Sequence, residues 1–246
     1  MQASDTTIDT GEVGRFAAQA DAWWDADGSF RALHRLNPIR LGFIRSRLLS
    51  HFGRDPSLLQ PFTGLSLVDI GCGGGLVAEP MARLGFAVTG VDAGSGAIAA
   101  ASEHARGARL DIEYHVATAE SLADAGERFD AVLVLEVIEH LADRDAFWRS
   151  VGKLVTPGGA LIAATINRTA RSFALAIVGA EYILGWIPRG THDWRKFVRP
   201  SEMILSLRRN GLHPTEIAGL TYHLGAGGWV LSRDVEVNYL VMAELR

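Results

Sequence analysis

The chain has 246 residues, 48% hydrophobic and 21% charged, with a formal net charge of −4. This length and apolar content suit one large α/β domain, or one domain with an appendage, and argue against two independent domains. The mild acidic balance without a lysine or arginine tract gives no electrostatic footprint for nucleic acid, while a sole cysteine, Cys72, rules out an intrachain disulfide and a cysteine zinc cluster.

Residues 1–11 read as a flexible tail, acidic and polar through Glu12, without the basic and apolar regions of a secretory signal. Phe16, Ala20 and Trp23 share one side of a helix predicted over Glu12–Trp24. A polar break at Asp25–Ser29 and the run Leu33–Asn37 lead to Pro38, after which a second helix is expected over Ile39–His51. Residues 12–60 thus form an N-terminal helical lid on a domain spanning 12–246. From Ser66 onward strand and helix signals alternate: strands at 66–70, 87–92, 112–116, 129–135 and 160–165, with helices at 75–85, 96–106 and 143–154. Thr156-Pro157-Gly158-Gly159 has turn chemistry, and a helix at 200–210 with strands near 212–219 and 236–244 completes the pattern. The fold class is α/β, a doubly wound, mostly parallel, seven-stranded Rossmann-like sheet with N-terminal helices and an apolar helical insertion.

That insertion occupies 168–197. Ser172–Ile187 is apolar on every helical face except at Glu181, and Arg168, Arg171, Arg189, Arg195 and Lys196 bracket it. It falls short of the ~20 residues needed to cross a bilayer. Two readings fit: a cap that buries a substrate pocket, or an interfacial element whose basic flanks meet anionic headgroups.

Leu67-Val68-Asp69-Ile70-Gly71-Cys72-Gly73-Gly74-Gly75 is a buried-strand signal running into a glycine loop, and a helix signal follows over Leu76–Leu84. Gly73, Gly75 and Ala78 satisfy a permissive G-x-G-x-x-A pattern, so counting glycines leaves a dinucleotide and S-adenosylmethionine (SAM) both open. Asp69 separates them. A carboxylate at the loop mouth repels a diphosphate, whereas SAM has no phosphate and carries cationic ammonium and sulfonium groups. Asp92 ends the second strand, where it can accept both ribose hydroxyls of either cofactor. Each acid has a plainer alternative as a strand-end cap, and Trp23 and Trp24 read as core or as a lid.

After the strand Val132–Leu135, the segment Glu136-Val137-Ile138-Glu139-His140 should line the crevice beyond the strand ends. Glu136, Glu139 and His140 at i, i+3 and i+4 share a helical face, which suits a divalent metal or an acid/base pair. Histidine is a poor ligand for Mg²⁺, and carboxylates here can equally close a cofactor pocket.

The glycine loop, Asp92, Glu136–His140 and Pro157-Gly158-Gly159 together resemble the class I SAM-dependent methyltransferases. Trp23-Trp24-Asp25, Leu33-His34-Arg35-Leu36-Asn37-Pro38-Ile39-Arg40, Val178–Leu184, Gly190-Thr191-His192-Asp193 and Asp234–Tyr239 are similar to the O-methyltransferase family of ubiquinone biosynthesis. The resemblance spans residue 12 to the end. It implies SAM-dependent O-methylation of a lipophilic, catechol-type polyprenylated substrate. Arg40, Gly71, Asp92 and Leu135 are implied to contact SAM, beside Asp69 and Gly73 of the loop. A divalent cation, Mg²⁺ first, is implied at Glu136, Glu139 and His140, with Glu139 or His140 as general base should no metal bind. His192 and Asp193 face the substrate ring or stabilise a turn. The expected setting is cytoplasmic, peripheral at the inner membrane, with contact to anionic lipid through 168–197 and membership of a biosynthetic complex. The alternatives are a methyltransferase for another lipophilic small molecule or a SAM-binding component without turnover; an NAD oxidoreductase is disfavoured by Asp69.

Overall fold

The computed structural model describes residues 23–175, 193–223 and 228–246. Residues 12–22 of the first expected helix and 176–192 of the insertion, His192 included, therefore lie outside the described residues. Trp23 and Trp24 fall in a turn.

The elements in chain order are α1 (Arg31–His51), β1 (Ser66–Ile70), α2 (Ala78–Arg83), β2 (Ala87–Asp92), α3 (Ser95–Gly107), β3 (Ile112–Val116), α4 (Ala119–Asp124) and β4 (Phe129–Leu135). There follow α5 (Arg144–Leu154), β5 (Val155–Ile166), α6 (Pro200–Arg209), β6 (Leu212–His223), β7 (Gly228–Ser232) and β8 (Asn238–Leu245). One sheet runs in the order β3-β2-β1-β4-β5-β8-β6-β7, parallel from β3 to β5 and antiparallel thereafter.

Both faces of β1, β4 and the second half of β5 are covered, which is why these are nearly unbroken apolar runs, whereas β3 at the sheet edge is mostly exposed. Side chains alternate between the faces. Val68, Ile70, Val132, Val134, Leu161 and Ala163 pack with Phe147, Trp148 and Val151 of α5. Leu67, Ala131, Leu133, Ala160 and Ile162 pack with Phe43, Ile44 and Leu48 of α1.

Four features differ from expectation. The sheet has eight strands, because the far half of β6 turns back into β7, an antiparallel edge strand of half-buried residues with a weak hydrophobic pattern. α1 begins at Arg31 and passes through Pro38. Proline forfeits one helical hydrogen bond, but Leu36, Asn37 and Arg40 are buried on either side of it, and that packing carries the helix through. α4 is a six-residue helix closed by a reciprocal capping box between Thr118 and Ser121. β5 starts at Val155, and the expected turn at 156–159 is an irregularity within it: pairing jumps from Phe129–Val155 to Ala131–Ala160, with Gly158 at φ +78°.

Candidate functional site

β1 pairs with β2 on one side and β4 on the other, so the order reverses between β1 and β4, and the crevice beyond their carboxyl ends is where such sheets hold ligands. Two segments meet there. The first is the glycine loop, in which Gly71, Gly73 and Gly75 take φ of +72°, +53° and +86°. The Gly71 and Cys72 N–H groups donate to the Val91 carbonyl at 2.7 and 3.0 Å, and the Gly75 N–H to the Cys72 carbonyl at 3.0 Å. Asp92 grips the loop from β2, accepting from the Gly73 N–H at 3.0 Å and the Gly94 N–H at 2.8 Å. Burial pushes its carboxyl above the ordinary range, and those two donors pull the other way.

The second segment follows β4. Leu135 is buried at the strand end, and Glu136 adopts φ +57°, a left-handed conformation rare for a non-glycine residue, with its N–H on the Ala164 carbonyl at 3.0 Å. Ile138–His140 is a 3₁₀ turn, tied down by Arg144, whose Nε donates to the Ile138 carbonyl at 3.1 Å and whose Nη2 donates to the Lys196 carbonyl.

Asp69 lies two residues after Leu67 and so faces α1, where Arg40 sits. Arg40 and Asp69 are 2% and 3% exposed, two ionisable side chains buried at the crevice. Arg40 Nη1 is 3.8 Å from Glu136 Oε1. Burial lowers the affinity of the Arg40 guanidinium for its proton, against the attraction of Glu136, Asp69 and Glu139. Burial raises the Asp69 carboxyl to about 7, offset by Arg40 and reinforced by Asp92.

The expected metal set is not assembled: among the described residues no group of three His, Cys, Asp or Glu side chains is placed to hold an ion. An i, i+3, i+4 face needs α-helix, whereas here a 3₁₀ turn begins only at Ile138, after a left-handed Glu136. Glu139 is buried, and its Oε2 accepts from Thr165 Oγ1 at 2.8 Å. Its Oε1 is buried with no hydrogen-bond partner among the described residues. His140 is half-buried on the same turn.

Asp193 accepts from the Arg195 N–H at 2.9 Å and caps the turn Trp194–Lys196, which is the turn-stabilising role of the two expected for it. Several site residues escaped sequence reasoning. Glu79 and His104 form a pair at 2.6 Å across α2 and α3, Val137 packs on Gly71, and Tyr114 lies under Gly75 and Gly90. Burial raises the Tyr114 hydroxyl well above its usual range. Nothing local marks these residues, because their partners are distant along the chain: Gly75–Tyr114, Gly90–Tyr114, Glu79–His104 and Gly71–Val137 are separated by 39, 24, 25 and 66 positions.

Residues 68–163 match the family described as Methyltransferase domain. A ubiquinone biosynthesis O-methyltransferase from Brucella anthropi is 51% identical over 239 residues, covering 97% of this chain and 96% of the relative. One from Methylobacterium sp. is 52% identical over 238 residues, covering 97% and 96%. Among solved structures, the magnesium protoporphyrin IX methyltransferase of Synechocystis PCC 6803 with bound SAH (S-adenosylhomocysteine) superposes with a TM-score of 0.64 at 19% identity, covering 94% of each chain. That likeness is one of fold.

Proposed function

Because this chain belongs to the ubiquinone biosynthesis O-methyltransferases, we propose that it moves the SAM methyl group to a hydroxyl of a catechol-type, polyprenylated ubiquinone precursor. The observation that carries the cofactor side is the glycine loop gripped by Asp92 beside the buried Arg40 and Asp69 side chains. Arg40 pairs with the methionine carboxylate, Asp92 receives the ribose hydroxyls, Gly71 admits the cofactor against backbone, and Leu135 walls it. SAM supplies the activated carbon, and the protein supplies alignment and a proton acceptor. A catechol hydroxyl resembles the tyrosine phenol, of pKa about 10, and is protonated at neutral pH. Glu139 Oε1 or the His140 imidazole takes that proton as the oxygen–carbon bond forms and the sulfur–carbon bond breaks, leaving SAH. Residues 12–60 act as a lid on this unit and 168–197 as its substrate-side cap.

A divalent cation is a separable part of this reading. The donor types of Glu136, Glu139 and His140 suit one, and the unpartnered buried Glu139 Oε1 supports it, but the three side chains would have to converge from where they stand to hold an ion together. Bound there, the ion would stabilise a catecholate. Peripheral contact of 168–197 with anionic lipid is likewise proposed. Its support is exposed Phe173 and Leu175 at the start of the insertion, rather than Arg168, which pairs with Glu202, or Arg171, which pairs with Asp234 and Glu236 at 2.6 and 3.0 Å. Among the described residues no helix is long and apolar enough to cross a membrane. One experiment tests these parts together: mass-resolved methyl transfer from SAM to a short-tailed catechol, with and without EDTA, and with anionic vesicles sedimented afterwards. Methylated product, loss of rate on chelation with recovery in Mg²⁺, and enzyme in the vesicle pellet are expected. Absence of product overturns the reading, full rate after exhaustive chelation removes the cation, and enzyme left in the supernatant removes the lipid contact.

The Asp69 carboxyl makes cofactor affinity depend on pH. Its folded-state value of about 7 lies above the ordinary 3.8, so the folded protein holds a proton that the unfolded chain has released. Stability of the free protein from this group is therefore full below the ordinary value and declines as pH rises toward 7. Cationic SAM favours the carboxylate, so binding at pH 6 expels that proton and affinity rises with pH through about 7. Calorimetry at pH 6 in two buffers of different ionisation enthalpy checks this: buffer-dependent binding heats are expected, and identical heats would refute it.

A further inference from the structure

Two tryptophans cover the glycine loop. A Cβ added at Gly73 would meet Trp23 Cη2 at 2.4 Å, and one added at Gly74 would meet Trp23 Cβ and Cγ at 2.4 Å, so the indole rests directly on both residues. Trp23 stacks on Phe30 with ring centroids 3.8 Å apart and planes 8° apart, and its carbonyl lies 2.9 Å from His34 Nε2. It is 8% exposed, yet Nε1 is buried and meets no hydrogen-bond partner among the described residues. An indole N–H without an acceptor is a costly group to bury, so packing of the ring does not account for its polar edge.

Trp24 is built differently. Its Nε1–H donates to the Gly74 carbonyl at 2.9 Å, and its ring lies flat on the His104 imidazole, centroids 3.4 Å apart and planes 5° apart. His104 Nδ1 is in turn 2.6 Å from Glu79 Oε1, on a carboxylate that is 2% exposed. Trp24 and His104 both stay partly exposed, so directed contacts rather than burial set their alignment. The chain Glu79–His104–Trp24–Gly74 ties the lid to the helix after β2 and to the loop itself.

We infer that Trp23 is a cofactor-binding residue whose indole N–H is the donor held for an oxygen of bound SAM, and that Trp24 is the positioning residue that latches this lid onto the loop. The inference rests on the SAM reading above. Two oxygen sources on the cofactor suit such a donor, the methionine carboxylate and a ribose hydroxyl, and methylthioadenosine, which keeps the ribose and lacks the carboxylate, separates them.

The test is calorimetric binding of SAH and of methylthioadenosine to the full chain carrying Trp23→Phe, and to a chain with 3-benzothienylalanine in place of Trp23, which keeps the ring shape and removes only the N–H. Each is expected to weaken SAH binding roughly ten-fold or more. The rise in KM for SAM should exceed the fall in kcat, and the SAH-induced rise in melting temperature should shrink. Weakening of SAH alone assigns the carboxylate, and equal weakening of both ligands assigns the ribose. Wild-type affinity for both ligands in the benzothienylalanine protein would overturn the Trp23 assignment. For the latch, Trp24→Phe and His104→Ala should each weaken SAH binding and the double variant should add little to either, whereas fully additive effects would show that they do not act as one unit. Failure of the unaltered protein to bind SAH would instead strike the SAM reading itself.

Discussion

Asp92→Ala is expected to remove measurable SAH binding, a loss of at least about a hundred-fold, while the chain still folds. Two effects combine. The carboxylate is the acceptor for the Gly73 and Gly94 N–H groups, at 3.0 and 2.8 Å, so its removal leaves two loop donors unmet, each costing about 1–3 kcal/mol where water cannot reach them. It also removes the proposed ribose acceptor. Asp92→Asn sharpens the result, because an amide keeps the size of the side chain but sets an NH₂ against one of those two donors. It should bind SAH poorly too, although it preserves volume. Calorimetry with SAH and a thermal melt of the free protein separate the contributions: loop disorder lowers the melting temperature, and loss of the ribose contact does not. Binding within a few-fold of the unaltered protein in Asp92→Ala would show that this carboxylate serves β2 alone.

The same residue shows what was readable before any coordinates. β1, β2, β3 and β4 fall on their expected residues: β1 and β4 are apolar runs buried on both faces, while β2 and the mostly exposed edge strand β3 show their place through the β-favouring residues between their flanking helices and turns. The place of Asp92 at the end of β2 follows from that reading. Its grip on Gly73 is a contact between residues 19 apart, set by the parallel pairing of β1 with β2. Contacts that join separate helices or distant strands left no local trace. Thr165 reaches Glu139 only because β5 lies beside β4, and Glu79 meets His104 only because α2 and α3 pack on the same side of the loop. Glu136–His140 misled for another reason. Its spacing matches one helical face, but the backbone takes a left-handed residue and then a 3₁₀ turn, and neither follows from residue type. β7 was unreadable because an edge strand of half-buried residues has no strong alternation to display.

Gly71→Ala is expected to lower methyl transfer by at least about a hundred-fold and to destabilise the protein by about 3 kcal/mol, combining a left-handed alanine with an overpacked contact. Gly71 has φ +72°, and its added methyl would lie 2.4 Å from Val137 Cγ2. Val137 stands between Glu136 and the turn that carries Glu139 and His140, so the clash pushes the segment proposed to accept the proton away from the glycine loop. The Gly71 N–H also holds the Val91 carbonyl at 2.7 Å, which keeps the loop from yielding in the opposite direction. A second substitution separates the two costs. Val137→Ala removes the colliding methyl groups and leaves the backbone strain untouched, so the double variant should regain part of the stability and part of the rate. Denaturant midpoints and kcat/KM for the four proteins measure this coupling. If the double variant were no better than Gly71→Ala, the collision with Val137 would not be the cause, and the left-handed backbone alone would account for the loss.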